Sequence, residues 1–238
     1  VMKSTRRYLI PGLILAAGLT TSGQNVAGST RPGPTLTIQV INSAQVEDKT
    51  LIEAEKIAAG IFGKAGIEIR WTVTSPLTEN MRETPADKGP SDLSLIRLNI
   101  LPQVLREPSI HKTAMGLAPG TGRNRQWVYV FYDRINAMTR RQIQARLRGS
   151  YFRPATPAQI LAHAMTHEVG HVLLNFEVHS AIGIMRGDWN LKDLQDIAND
   201  KFVFTSQEAE AMREDLARRI GDHQGPELAG LALPGSAQ

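Results

Sequence analysis

The sequence predicts an α+β fold, a small twisted mixed sheet, mostly parallel, backed by helices. Three observations predict it. Short runs of alternating apolar residues fill the first half of the chain, as in Leu36, Ile38, Val40 and again in Ile96, Leu98, Ile100, and a period of two marks half-buried strands. Longer segments with apolar residues three and four apart dominate the second half, the signature of amphipathic helices. Near the start a strand, a helix and a strand follow one another, the order of a crossover between parallel strands.

The elements follow in order. In Thr35–Asn42 the apolar Leu36, Ile38 and Val40 alternate with Thr35, Thr37 and Gln39. Asp48 is placed to cap a helix over Lys49–Ala65, where Leu51, Ala54, Ala58, Ile61, Phe62 and Ala65 recur at helical spacing and Gly66 stops it. Ile67, Ile69, Trp71 and Val73 mark a second strand, and Thr74–Asp92, with three prolines, reads as a surface loop. A third strand covers Ile96–Ile100. Gly116–Gln126 is glycine-rich but lacks the Gly-Lys-Ser/Thr ending of a phosphate loop, so it reads as a turn. Trp127–Tyr132 is an aromatic and β-branched strand. Helices are expected over Asn136–Arg148, Pro157–Leu174, Leu191–Ala198 and Gln207–Ile220.

A chain of 238 residues that is 42% hydrophobic can build one sizeable core but not two. Residues 1–27 have the layout of a secretory signal peptide: Lys3, Arg6 and Arg7, then the apolar Leu9–Leu19, then small and polar residues. The apolar run is too short for a stable membrane anchor. The expected organisation is therefore a signal over 1–27, one domain over 28–221 and a loose tail over 222–238, in a secreted or periplasmic protein. Losing residues 1–27 removes three positive charges and no acid, which takes the formal charge from +4 to +1. No nucleic-acid partner follows from so small a charge. The basic run Arg140, Arg141, Arg146 and Arg148 reads as a solvated helix face. There is no cysteine, so any metal must be held by His, Asp or Glu.

The chemistry sits in His163-Ala-Met-Thr-His167-Glu168-Val-Gly-His171-Val-Leu-Leu-Asn175, which contains H-E-x-x-H. Residues four apart on a helix lie one turn apart on one face. Two imidazoles so placed can reach one Zn²⁺ at ~2.0–2.1 Å. Glu168 then lies beside the metal, where it can take a proton from a water that zinc activates. Catalytic zinc takes three protein ligands as a rule. His163 and His171 are ~12 Å apart along a helix axis, too far to share an ion with His167. Glu177 and His179 both follow Asn175, a residue that tolerates the left-handed conformation of a helix stop, and either can return to the metal. Asp188 and Asp193 read first as surface or capping residues, and Trp189 as packing. Tyr129 and Tyr132 read first as partly buried core, although a tyrosine hydroxyl can polarise an oxyanion.

The stretch from His167 to Arg186, with His179-Ser and Gly183-Ile-Met185-Arg at its end, resembles the metzincin clan of zinc peptidases. It is also similar to exported bacterial zincin-like proteins that share the His-Ser…Gly-Ile-Met-Arg ending. The resemblance implies a zincin fold, a zinc cofactor held by His167, His171 and His179, Glu168 as general base, and Met185 as the methionine of the turn beneath the metal. The usual spacing puts Gly three residues and the third His six residues after the second His. Here those positions are Leu174 and Glu177, so His179 comes two residues late. The expected activity is hydrolysis of a peptide bond in a peptide or protein substrate. The alternatives are a non-catalytic zinc-binding module and a hydrolase of cell-wall peptide amides. Glu168 weighs against the first, since holding zinc needs the histidines and no carboxylate at that position. The sequence is silent on oligomeric state.

Overall fold

The computed structural model describes residues 33–74, 93–104, 110–120, 125–175 and 179–223. The expected signal over 1–27, Glu177 and the tail beyond 223 lie outside these residues.

Five strands and five helices form the fold. They are β1 (Thr35–Ile41), α1 (Asp48–Lys64), β2 (Glu68–Thr74), β3 (Leu95–Leu101), β4 (Gly116–Leu117), β5 (Trp127–Phe131), α2 (Tyr132–Leu147), α3 (Pro157–Leu174), α4 (Leu191–Ala198) and α5 (Ser206–His223). The strand order is β2-β1-β3-β5-β4. β1 runs parallel to β2 and β3, and β3 parallel to β5. Only β4, at the edge, is antiparallel, with Gly116 opposite Val130 and Leu117 opposite Tyr129.

One face of the sheet carries the core. Leu36, Ile38, Val40, Ile96, Leu98, Ile100, Val128 and Val130 are fully buried there. The other face carries exposed Glu68, Arg70 and Thr72 on β2 and, near β5, Arg97 stacked 5.7 Å over the Trp127 ring. Parallel strands usually read as continuous apolar runs because both faces are covered. These strands alternate because their two faces differ.

Helix α3 is the central element. It packs against α1, α2, α4, α5, β4 and β5, and every residue from Ala158 to Leu174 is buried. A helix apolar nearly all round must be enclosed in this way. Its start is fixed by a reciprocal cap, in which Gln159 N donates to Thr156 Oγ1 at 3.1 Å and Thr156 N donates to Gln159 Oε1 at 2.9 Å. Pro157 opens the first turn, where no N–H is needed. Its end is Asn175, at φ 54° and ψ 28°, the left-handed stop that an asparagine permits.

Three local expectations are corrected. Asp48 lies in the first turn of α1 and does not cap it; the cap position is Glu47, without a side-chain bond. Tyr132 begins α2 and does not end β5. Val130 and Phe131 are neighbours and both fully buried, so the strand's alternation ends there, and Ile135 is the next fully buried residue, one helical turn on. The glycine-rich stretch after residue 115 holds a strand, β4, too short to show a period.

Candidate metal centre

Helical periodicity brings the first two imidazoles together. His167 and His171 are one turn apart on α3, with ring centroids at 4.7 Å and Nε2 atoms 3.1 Å apart. The His167 Nδ1 lies 2.7 Å from the Ile184 carbonyl. A carbonyl only accepts, so Nδ1 carries the proton and Nε2 keeps its lone pair. That lone pair faces the His171 Nε2. Two nitrogens bound to one tetrahedral ion at ~2.0–2.1 Å would stand ~3.3–3.4 Å apart, close to the spacing found.

The third imidazole arrives from the loop after α3. The His179 ring centroid is 5.3 Å from His167 and 5.0 Å from His171. One nitrogen from each of the three rings lies within 4.8 Å of the others. The loop is anchored on both sides of this ring. Ser180 N donates to Met185 O at 2.9 Å, and Ser180 Oγ donates to the Glu208 carboxylate. The other Glu208 oxygen accepts from Thr205 N at 2.8 Å and so caps α5. Gly187 leaves room for the His179 ring, since a Cβ there would stand 2.9 Å from its Cγ.

Met185 is fully buried beneath α3. A Cβ on Gly170 would stand 2.6 Å from its sulfur, so the glycine inside the H-E-x-x-H segment is what admits the methionine. The turn that delivers Met185 has Gly183 at φ +72° and is pinned by Ile184 N donating to Val203 O at 3.0 Å. Trp189, 5% exposed, sets its ring edge-on to His167 at 5.9 Å.

Glu168 is buried beside the histidines, and desolvation pushes its carboxyl up to about 8. A cation in the cluster would act in the opposite sense and favour the carboxylate. Above it lies β4, whose Gly116 touches the Glu168 side chain. Together they border a cleft of about 700 Å³, with residues of the 110–120 stretch on one wall and Gly187–Trp189 on the other. At its rim Thr113 Oγ1 donates to Asp188, and His111 Nδ1 lies 2.7 Å from the same hydroxyl.

Two arginines hold the end of α3. Arg125 donates to His171 O at 2.9 Å and to Ala118 O at 3.1 Å. Arg219, fully buried and paired with Asp215 at 2.5 Å, donates to Val172 O at 2.9 Å. The last carbonyls of a helix have no partner within it, and cations there also suit its dipole. Arg125 thereby ties the helix of the histidines to the segment leaving β4.

The structure thus brings His167, Glu168, His171 and His179 together at one cleft. His163 stays out of the cluster. It is buried, with Nδ1 2.7 Å from Gln159 O, and desolvation lowers it to about 4. Asp193 is engaged in the capping box of α4, where Asn190 is the cap and Asp193 accepts from Asn190 N at 2.7 Å, and it pairs with Arg186 at 3.1 Å. Tyr129 stacks on Trp127 at 6.3 Å. Gly116, Gly170, Gly187 and Arg125 were not singled out from the sequence; the glycine directly after the Met185-Arg186 pair was the one visible signal.

No family model and no curated protein matches the chain. Among solved structures it is similar to archaemetzincin from Methanopyrus kandleri, with a TM-score of 0.47 and 14% identity, covering 78% of this chain and 98% of that one. The site is therefore read from its own geometry.

Proposed function

We propose that the chain is an exported, metzincin-like, zinc-dependent metallopeptidase. One observation carries the reading: three imidazoles converge on one point at a cleft, with a buried carboxyl adjacent in sequence to the first of them. The donor set fits the ion. The histidines offer imidazole nitrogens, the His167 tautomer leaves Nε2 free, and its Nδ1 bond to a backbone carbonyl is the outer contact that orients a ligating histidine. His167, His171 and His179 would hold the ion, and zinc there would supply Lewis-acid polarisation of the scissile carbonyl and a more acidic water.

The chain's own residues do the rest. Glu168 takes the proton of the attacking water on its carboxylate and passes it to the leaving amine nitrogen. β4 borders the cleft as the sheet edge, so its outward N–H and C=O groups suit an extended peptide. Export is supported by Lys3, Arg6, Arg7 and the apolar Leu9–Leu19.

A mixture of peptide substrates, assayed with and without a chelator, tests the reading together with Glu168→Gln. Cleavage should stop on chelation and return with zinc. Glu168→Gln should keep its zinc and lose ~10²–10⁴-fold in turnover. Cleavage that ignores the chelator would refute the proposal. A zinc-loaded wild type that cleaves nothing would favour the non-catalytic module.

A further inference from the structure

The connection between β5 and α3 carries a charge pattern that the metal site does not use. Residues 134–167 contain six arginines and no lysine, aspartate or glutamate. The formal charge of the whole chain is +4, so this stretch supplies more than all of it. Arg140, Arg141, Arg146, Arg148 and Arg153 are exposed, and none has an ion pair among the described residues. Five guanidiniums so close together, without an acid beside them among the described residues, repel one another, an arrangement that suits an anionic partner.

The same surface is apolar. Ile143 is 54% exposed, Leu147 83% and Tyr151 fully. Ile143 and Leu147 are four apart on α2 and share a face. That face points away from the core, because the buried side of α2 is set by Ile135 and Gln142. At ~100° per residue, Arg140 borders the apolar pair on one side and Arg146 on the other. The turn that carries Tyr151 is held to the helix by Gln142, whose amide donates to Ala155 O at 3.2 Å and accepts from Ala155 N at 2.8 Å.

A single exposed apolar residue means little. Three of them ringed by guanidiniums are different, and the combination separates two anionic partners. Nucleic acid would use the arginines and leave Leu147 in water. A bilayer surface uses both, with guanidiniums at the phosphates and apolar side chains in the headgroup boundary. We propose that the outward face of α2 and the turn after it dock the protein reversibly on a membrane surface rich in anionic phospholipid. No helix among the described residues is long and apolar enough to cross a membrane, so the contact is peripheral. It is independent of the metal centre.

Co-sedimentation with vesicles tests this, using phosphatidylcholine alone against phosphatidylcholine mixed with phosphatidylglycerol. Leu9–Leu19 is common to wild type and variants, so the difference between them is the readout. Wild type should bind the phosphatidylglycerol vesicles, and less so as salt rises. Arg140→Gln with Arg141→Gln should weaken binding about 30-fold, from ~1 kcal/mol for each arginine. Leu147→Ser should weaken it about tenfold. Equal sedimentation of wild type and both variants would overturn the proposal. So would Leu147→Ser binding like wild type while duplex DNA competes, which would mean a polyanion site. A concentration-dependent dimer abolished by Leu147→Ser would reassign the face to a second copy of the chain.

Discussion

Gly116 on β4 lies against Glu168 on α3 so closely that a Cβ on the glycine would stand 2.6 Å from the glutamate Cγ and 2.8 Å from its Cδ. The sheet edge therefore forms a lid over the carboxylate that the proposed mechanism uses, and only a residue without a side chain fits there.

Gly116→Ala follows as the first prediction. The added methyl would also meet Tyr129 O at 2.3 Å, so either β4 or Glu168 must shift. A displacement of ~1 Å at a reacting group costs about a hundredfold in rate. Turnover should fall by that order while zinc content, read by atomic absorption, stays near wild type. Full turnover in this variant would detach Glu168 from the chemistry.

The third ligand gives the second prediction. His179→Ala should weaken zinc binding sharply in a chelator titration. Glu177→Ala should leave it near wild type. Gly187→Ala should reproduce much of the His179→Ala loss, because its methyl would take the space of the His179 ring. Asp193→Ala should lower stability by ~1 kcal/mol through the lost bond to the Asn190 N–H of the α4 capping box, without changing zinc affinity. A strong loss in Glu177→Ala with none in His179→Ala would move the third ligand to the carboxylate.

The third prediction concerns acid. His163 is neutral and buried, and its folded value of about 4 lies below the 6.5 of the free side chain. Below pH 6.5 the unfolded chain therefore binds more protons than the folded one. The stability that His163 contributes is complete above that pH and is lost progressively as the pH falls towards 4. Its full size is ~3 kcal/mol. Urea unfolding of the metal-free protein at pH 7.5 and pH 4.5 should show a smaller drop in His163→Asn than in wild type. An identical drop would place the acid sensitivity elsewhere.

Local signals were legible where one element acts on its own. The span of α3 was readable from apolar spacing alone, and its left-handed stop from Asn175, because capping and backbone preference act within a turn or two. The strand at Trp127 was legible, but not its change to helix at Tyr132, since an aromatic and β-branched run favours strand to its end and only packing sets where the helix begins. β4 left no trace. Two residues carry no period, and its pairing with β5 depends on backbone groups that are the same in every sequence.

The candidate site divides along the same line. That His167 and His171 share a face with Glu168 next to them follows from helical periodicity, a property of five consecutive residues. The choice between His179 and Glu177 was not available at that range. Chain spacing left both within reach, and a resemblance favoured one. The tertiary structure brings in His179 through contacts between residues distant in sequence: Gly187 makes room for its ring, Met185 fits under Gly170, and Glu208 on α5 holds Ser180. The lid over Glu168 comes from Gly116, some fifty residues upstream. Such contacts depend on shape complementarity between surfaces that exist only after the core has packed, and for that reason no pattern along the chain announces them.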